Sequence, residues 1–240
     1  MKRTVLITGG ARGIGRQMAI DFGNAGYNVI INYNKSEKQA MELVNELNAK
    51  EIACQAIQAD ISDAKQVQAM HDKIAFGHVD TLINNAGIAH IGLLQTDSEE
   101  DFNRVIGVDL KGVWLATRAF LPDMIQNGFG RIINISSFWS ERGSSTETAY
   151  SAAKAGVNGL TKALSREVGL ANVTVNAIIA GLIATEMNDN VPPDALIKIV
   201  DNTPVQRIGR PEDISHAALF LAEEKSSFIN GALLHVDGGY

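Results

Sequence analysis

The chain has 240 residues, 45% hydrophobic and 20% charged, which suits one soluble domain with a full core. Its net charge of −6 gives no sign of a nucleic-acid surface. The single cysteine, Cys54, excludes an intrachain disulfide and a two-cysteine metal site, and the five histidines (His71, His78, His90, His216, His235) lack metal-ligand spacing.

In chain order, residues 4–8 form a short β-branched run that reads as a buried strand. The run is too short for a signal-peptide core, and no window approaches a membrane span, so a cytoplasmic protein without membrane contact is expected. A turn follows, Gly9-Gly10-Ala11-Arg12-Gly13-Ile14-Gly15, and then a helical pattern through Met18, Ala19, Phe22 and Ala25. With the strand at residues 29–31, this makes the βαβ opening of a dinucleotide fold. Gly9, Gly13 and Gly15 let the backbone approach a pyrophosphate, which the helix N-terminus then faces with free N–H groups.

The alternation continues. Helices are expected over residues 36–48, 64–76, 98–125, 150–168 and 211–221, and strands over 52–57, 81–83, 131–136, 173–178 and 232–236. Seven strands alternating with six helices predict an α/β Rossmann fold: one domain over residues 1–240, with a doubly wound parallel sheet covered on both faces. Residues 182–210 are irregular, with Pro192-Pro193 and Pro204, and lie beyond a strand's carboxyl end. That is where ligands bind in open α/β folds, so a substrate lid is expected there, with a surface excursion as the alternative.

Tyr150 and Lys154 are four residues apart, about one helical turn, so they share a helix face. A free phenol has a pKa of about 10, and a neighbouring ammonium favours the phenolate. The pair can therefore serve as a tuned acid/base for a carbonyl oxygen, although ordinary solvated helix faces carry such pairs too.

Taken together, the turn from Thr8 to Gly15, then Asn84-Asn85-Ala86-Gly87, Ser137, and Tyr150 with Lys154 resemble the short-chain dehydrogenase/reductase family over the whole chain. Within it, the segments Gly130-Arg131-Ile132-Ile133-Asn134-Ile135-Ser136-Ser137 and Leu234-His235-Val236-Asp237-Gly238-Gly239 are similar to the 3-oxoacyl-acyl-carrier-protein reductase group. The resemblance implies that Tyr150 protonates the carbonyl oxygen, and that Lys154 lowers its pKa and binds the nicotinamide ribose. Ser137 then stabilises charge on the oxygen. It implies cofactor contacts at Asn85, Ala86 and Gly87, at Asp60 and Ile61 for the adenine, and at Gly181, Ile183 and Thr185 for the nicotinamide. Taken singly, Ser137 reads equally as a strand-end cap, Asn85 as a turn residue and Asp60 as a helix N-terminal acid.

Two positions depart from the family pattern: Asp109 stands where an Asn of the proton relay is usual, and Ala180-Gly181 replaces Pro-Gly. An ionised Asp accepts hydrogen bonds but donates none. The second strand ends in Tyr33 rather than the acid that binds the ribose of NAD, with Asn34, Lys35 and Ser36 beyond it and Arg12 in the glycine turn. Donors and cations there suit a 2′-phosphate, so NADP(H) is the expected cofactor. The expected reaction is NADPH-dependent reduction of a 3-oxoacyl thioester by a homotetramer. Segments 126–129 and 169–172, where a carrier protein would dock, contain no Lys or Arg. Residues 137–147 are also similar to reductases of the aminopentanone modification of elongation factor P, which keeps other ketones open as substrates. A non-catalytic NADP-binding sensor is the alternative of a different class.

Overall fold

The computed structural model describes residues 2–188 and 193–240, so Pro192 and part of the expected lid lie outside the described residues. β1 (Thr4–Ile7) leads through the glycine turn into α1 (Gly13–Asn24), and β2 (Asn28–Tyr33) leads into α2 (Glu37–Ala49). β3 (Cys54–Gln58) and α3 (Ala64–His71) precede β4 (Thr81–Asn84). Next come α4 (Glu99–Ile106), a π-helical segment (Gly107–Gly112) and α5 (Val113–Asn127). β5 (Gly130–Ser137), the single turn α6 (Trp139–Arg142), α7 (Thr148–Val168) and β6 (Val173–Ala180) follow. α8 (Pro193–Asp201), α9 (Pro211–Ala222) and β7 (Leu233–Val236) complete the chain.

The seven strands pair in parallel in the order β3-β2-β1-β4-β5-β6-β7. Connections run one way from β1 and the other way from β4, so the chain parts at the carboxyl ends of these two strands. Such a switch point opens a crevice over the sheet edge. One apolar core lies under α1, α2 and α9, and a second under α3 and α5. Met18 and Phe22 of α1 are fully buried, each contributing roughly 1.5–3 kcal/mol.

Two expectations need correction. The helix expected over 64–76 ends at His71, and the chain turns through residues 72–80 before β4. The long helix expected over 98–125 is interrupted by the wide turn at Gly107–Gly112. A π turn inserts an extra residue into the helical register and re-aims the side chains within it. Here it places Asp109, fully buried, against α7.

Candidate active site

The glycine turn is braced by the loop after β4. Asn85 donates through its amide to the carbonyls of Thr8 (2.9 Å) and Gly9 (3.2 Å). The backbone N–H groups of Asn85 and Ala86 donate to Thr8 Oγ1 at 3.0 and 3.1 Å. Gly9 has φ +63°, and a Cβ there would meet Ala86 Cα at 2.9 Å, so only glycine fits between the two loops. α1 starts at Gly13 with no side chain capping its first N–H groups, which leaves them free for an anion. Ile14 packs into the core beneath. The turn and helix end thus have room and free donors for a dinucleotide pyrophosphate.

The other expected cofactor residues surround this turn. Asp60 is drawn into its own loop, where its carboxylate accepts from Ser62 N (2.9 Å) and Ser62 Oγ (2.7 Å). Ile61 is buried. Tyr33 is buried at the end of β2, and burial, with Glu37 nearby, raises its phenol above the usual range. Asn34 and Lys35 are exposed just beyond, beside Ser36, and among the described residues no carboxylate pairs with Lys35. Gly181 donates its N–H to Val236 O at 3.1 Å. Ile183 is buried and pairs in parallel with Gly209. A cleft of about 520 Å³ is lined by Gly13, Ile183, Thr185, Glu186, Asn188 and Leu196. Arg12 crosses to this segment and pairs with Glu186 at 2.8 Å rather than standing free for a phosphate. Glu186 has no motif spacing, so the sequence gives no signal of this partner.

The ends of β5 and α7 carry the polar centre. Ser137 ends β5, and its Oγ accepts from Trp139 N–H at 3.2 Å. The Ser137 hydroxyl also acts on the phenol of Tyr150, two residues into α7, and favours its ionised form. One turn further along, buried Lys154 donates to Ile135 O at 3.1 Å and lies 3.2 Å from Asp109 Oδ2. Asp109 Oδ1 accepts from Ile88 N–H at 2.8 Å. A buried chain, Thr117–Asn84–Asn134–Thr161, ties α5, β4, β5 and α7 together beneath this centre with hydrogen bonds of 2.8–3.1 Å. In the sequence Thr117 and Thr161 look like ordinary helix positions, and the motifs that contain Asn84 and Asn134 give no sign of this chain.

Lys154 acts on Tyr150 in the expected direction and lowers its pKa, but other influences outweigh it. Burial is the largest influence and pushes the phenol above its ordinary range. Lys154 opposes that shift, and Asp109 adds to it. Burial also raises Asp109, against the pull of Lys154 and the Ile88 N–H. Burial works against the charge on Lys154, but Asp109 and Tyr150 outweigh it and raise its pKa. Glu147 is a further charge acting on Tyr150, three residues before it. Chemically, two hydroxyls converge at one point at the carboxyl edge of the sheet, backed by a buried ion pair, beside a cradle for a dinucleotide.

Residues 9–240 match the protein-family model described as Enoyl-(Acyl carrier protein) reductase. The 3-oxoacyl-[acyl-carrier-protein] reductase FabG of Staphylococcus aureus is 39% identical over 241 residues, covering 100% of this chain and 98% of that protein. The (2S)-[(R)-hydroxy(phenyl)methyl]succinyl-CoA dehydrogenase subunit BbsD of Thauera aromatica is 41% identical over 240 residues, covering 99% and 96%. A solved structure of a blue fluorescent protein from a metagenomic library, in complex with NADPH, superposes with a TM-score of 0.93 at 34% identity, covering 99% of this chain and 97% of that one.

Proposed function

The chain belongs to the short-chain dehydrogenase/reductase family, and we propose that within it this NADP-dependent oxidoreductase reduces a 3-oxoacyl thioester to the 3-hydroxyacyl thioester. The observation that carries this reading is the placement of Ser137 at the end of β5 and Tyr150 at the start of α7, with Lys154 buried 5.5 Å from the Tyr150 ring centre. When bound, NADPH supplies the hydride. The glycine turn (Gly9, Gly13, Ile14, Gly15) and Asn34, Lys35 and Ser36 would hold its phosphates, with Arg12 joining them by exchanging Glu186 for a phosphate. Asp60 and Ile61 would face the adenine, Ala86 and Gly87 would line the cofactor's path, and Gly181, Ile183 and Thr185 would face the nicotinamide. Asn85 acts by bracing the turn through the Thr8 and Gly9 carbonyls.

The chain's own residues handle the proton. Trp139 N–H satisfies one lone pair of Ser137 Oγ, which leaves the Ser137 proton to donate to the substrate oxygen. Tyr150 Oη gives its proton to that same oxygen as charge develops on it. Lys154, fixed by Ile135 O, orients the ribose and faces the phenolate left behind. Residues 182–210 act as the substrate lid. Met187, Ile197 and Val205 within it are about half exposed, at 52%, 58% and 56%, which supports an apolar surface waiting for an acyl chain.

A second reading concerns the substrate, and Glu147 favours it. Its carboxylate accepts from Ser144 Oγ at 2.8 Å, and among the described residues no cation pairs with it. An acid beside the proton donor, with no basic residue in segments 126–129 and 169–172, suits a ketone that carries an ammonium group. The aminopentanone modification of elongation factor P is such a ketone. NADPH oxidation with acetoacetyl-coenzyme A and with aminopentanone-modified elongation factor separates the two readings. Turnover of the thioester supports the first, and turnover of the modified factor alone supports the second. NADPH binding without turnover of either, or of small ketones, would leave a sensor.

A further inference from the structure

Lys154 Nζ lies 5.5 Å from the centre of the Tyr150 ring, near enough for its charge to govern the phenol. Asp109 Oδ2 is 3.2 Å from the same ammonium, and the two side chains are 0% and 4% exposed. Oδ2 accepts no well-aligned hydrogen bond, so the ammonium is what balances its charge. Oδ1 is pinned by the Ile88 N–H, so the carboxylate cannot swing away. Gly87 makes the space for this arrangement: a Cβ there would stand 2.8 Å from Asp109 Oδ2 and 3.3 Å from Lys154 Nζ.

We propose that Asp109 is a positioning residue that pairs with Lys154 and cancels the cationic field at Tyr150, so that the site favours the protonated phenol and ketone reduction over alcohol oxidation. The proposal rests on the reading of Tyr150 as proton donor. Its electrostatics are simple. Lys154 facing a neutral Asn would place one positive charge beside Tyr150, which stabilises the phenolate. Lys154 with Asp109 sums to zero, whichever of them holds the proton, and a neutral pair projects only a weak dipole field. The other groups facing Tyr150 do not restore the cation. Glu147, on the same helix, opposes the phenolate, and the Ser137 hydroxyl of β5 favours it. α4 and the loop after β4 contribute Val105, Ile106 and Ile88 to the packing here, none of them titratable. The raised pKa of Tyr150 agrees with this balance. During reduction, the Tyr150 proton passes to the substrate oxygen and the phenolate recovers a proton from water.

The test is Asp109→Asn, which keeps shape and removes the charge. Two pH profiles are measured: NADPH-dependent ketone reduction, and oxidation of the corresponding alcohol. Phenolate absorbance of Tyr150 is titrated separately, without cofactor, as each protein minus its Tyr150→Phe counterpart. The expected result is that the absorbance midpoint and both rate midpoints move to lower pH in Asp109→Asn, by about one unit or more. Asp109→Ala is expected to shift them the same way and serves if the Asn variant does not fold. Unchanged midpoints, or midpoints moved upward, would overturn the proposal. A native protein that turns over no ketone would instead remove the reductase reading, and the absorbance titration would still decide whether Asp109 governs Tyr150.

Discussion

At the scale of single residues, cofactor choice turns on a few charges. Arg12 is held by Glu186 at 2.8 Å, and Lys35 is exposed past the end of β2. A charge-assisted bond to a 2′-phosphate is worth about 1.5–3 kcal/mol, so losing one cation weakens NADPH by on the order of tenfold or more. Arg12→Ala is expected to raise the NADPH dissociation constant by that factor and leave NADH almost unchanged. Equal weakening of both cofactors in a fluorescence titration would show that Arg12 does not read the phosphate. Glu186→Gln, which frees Arg12, is expected to tighten NADPH instead. Much at this scale was legible in the sequence: Tyr150 and Lys154 one turn apart, Ser137 at a strand end, Asp109 in an Asn position. The sign of the Tyr150 shift was not, because it comes from burial and from a carboxylate 41 residues away in the chain, and spacing records neither.

At the scale of elements, α9 shows how one acid fastens a loop to a helix. Asp213 accepts from both Arg207 guanidinium nitrogens at 2.7 and 2.9 Å, and from Arg210 N–H at 2.7 Å. These bonds, the Arg207 pair first, hold its carboxyl down at about 2 against an ordinary 3.8. A carboxylate with a lowered pKa stabilises the fold above its unfolded value, and that contribution fades as pH falls from about 4 through 2. Loss of the cap costs about 1 kcal/mol, so Asp213→Ala is expected to lower the melting temperature by roughly 2–4 °C at pH 7, and by less at pH 3. A deficit that stays constant with pH in calorimetry would mean that the charge is not responsible. The strands and most helices could be read from their apolar runs. The break within residues 98–125 could not, because hydrophobic periodicity does not distinguish an α turn from one π turn inside it. The expected α3 runs longer for a related reason: Ile74 and Phe76 continue the apolar pattern of Val67 and Met70 past His71, although the chain has to turn back toward β4.

At the scale of the whole molecule, the parallel sheet brings distant segments to one edge. Its switch point between β1 and β4 joins the glycine turn to the Asn85 loop, while β5 and α7 deliver Ser137, Tyr150 and Lys154 beside them. Strand and helix alternation made that edge legible, since right-handed crossovers leave few topologies. What covers the outside was less so. A groove between α5 and α7, lined by Trp114, Leu121, Ile125, Leu160 and Leu164, leaves Trp114 and Ile125 nearly half exposed at 47% and 46%. We propose that this face packs against further copies of the chain in a homotetramer. Light scattering at micromolar concentration is expected to give four times the chain mass, and Leu160→Glu is expected to lower it; a native monomer would contradict the assembly. The most direct measurement is absorbance-followed NADPH oxidation with acetoacetyl-coenzyme A, by the native protein and by Tyr150→Phe side by side. Removal of a general acid lowers turnover by about 10²–10⁴-fold, and a loss of that size with NADPH binding intact is the expected result. Equal rates in the two proteins would contradict Tyr150 as the proton donor.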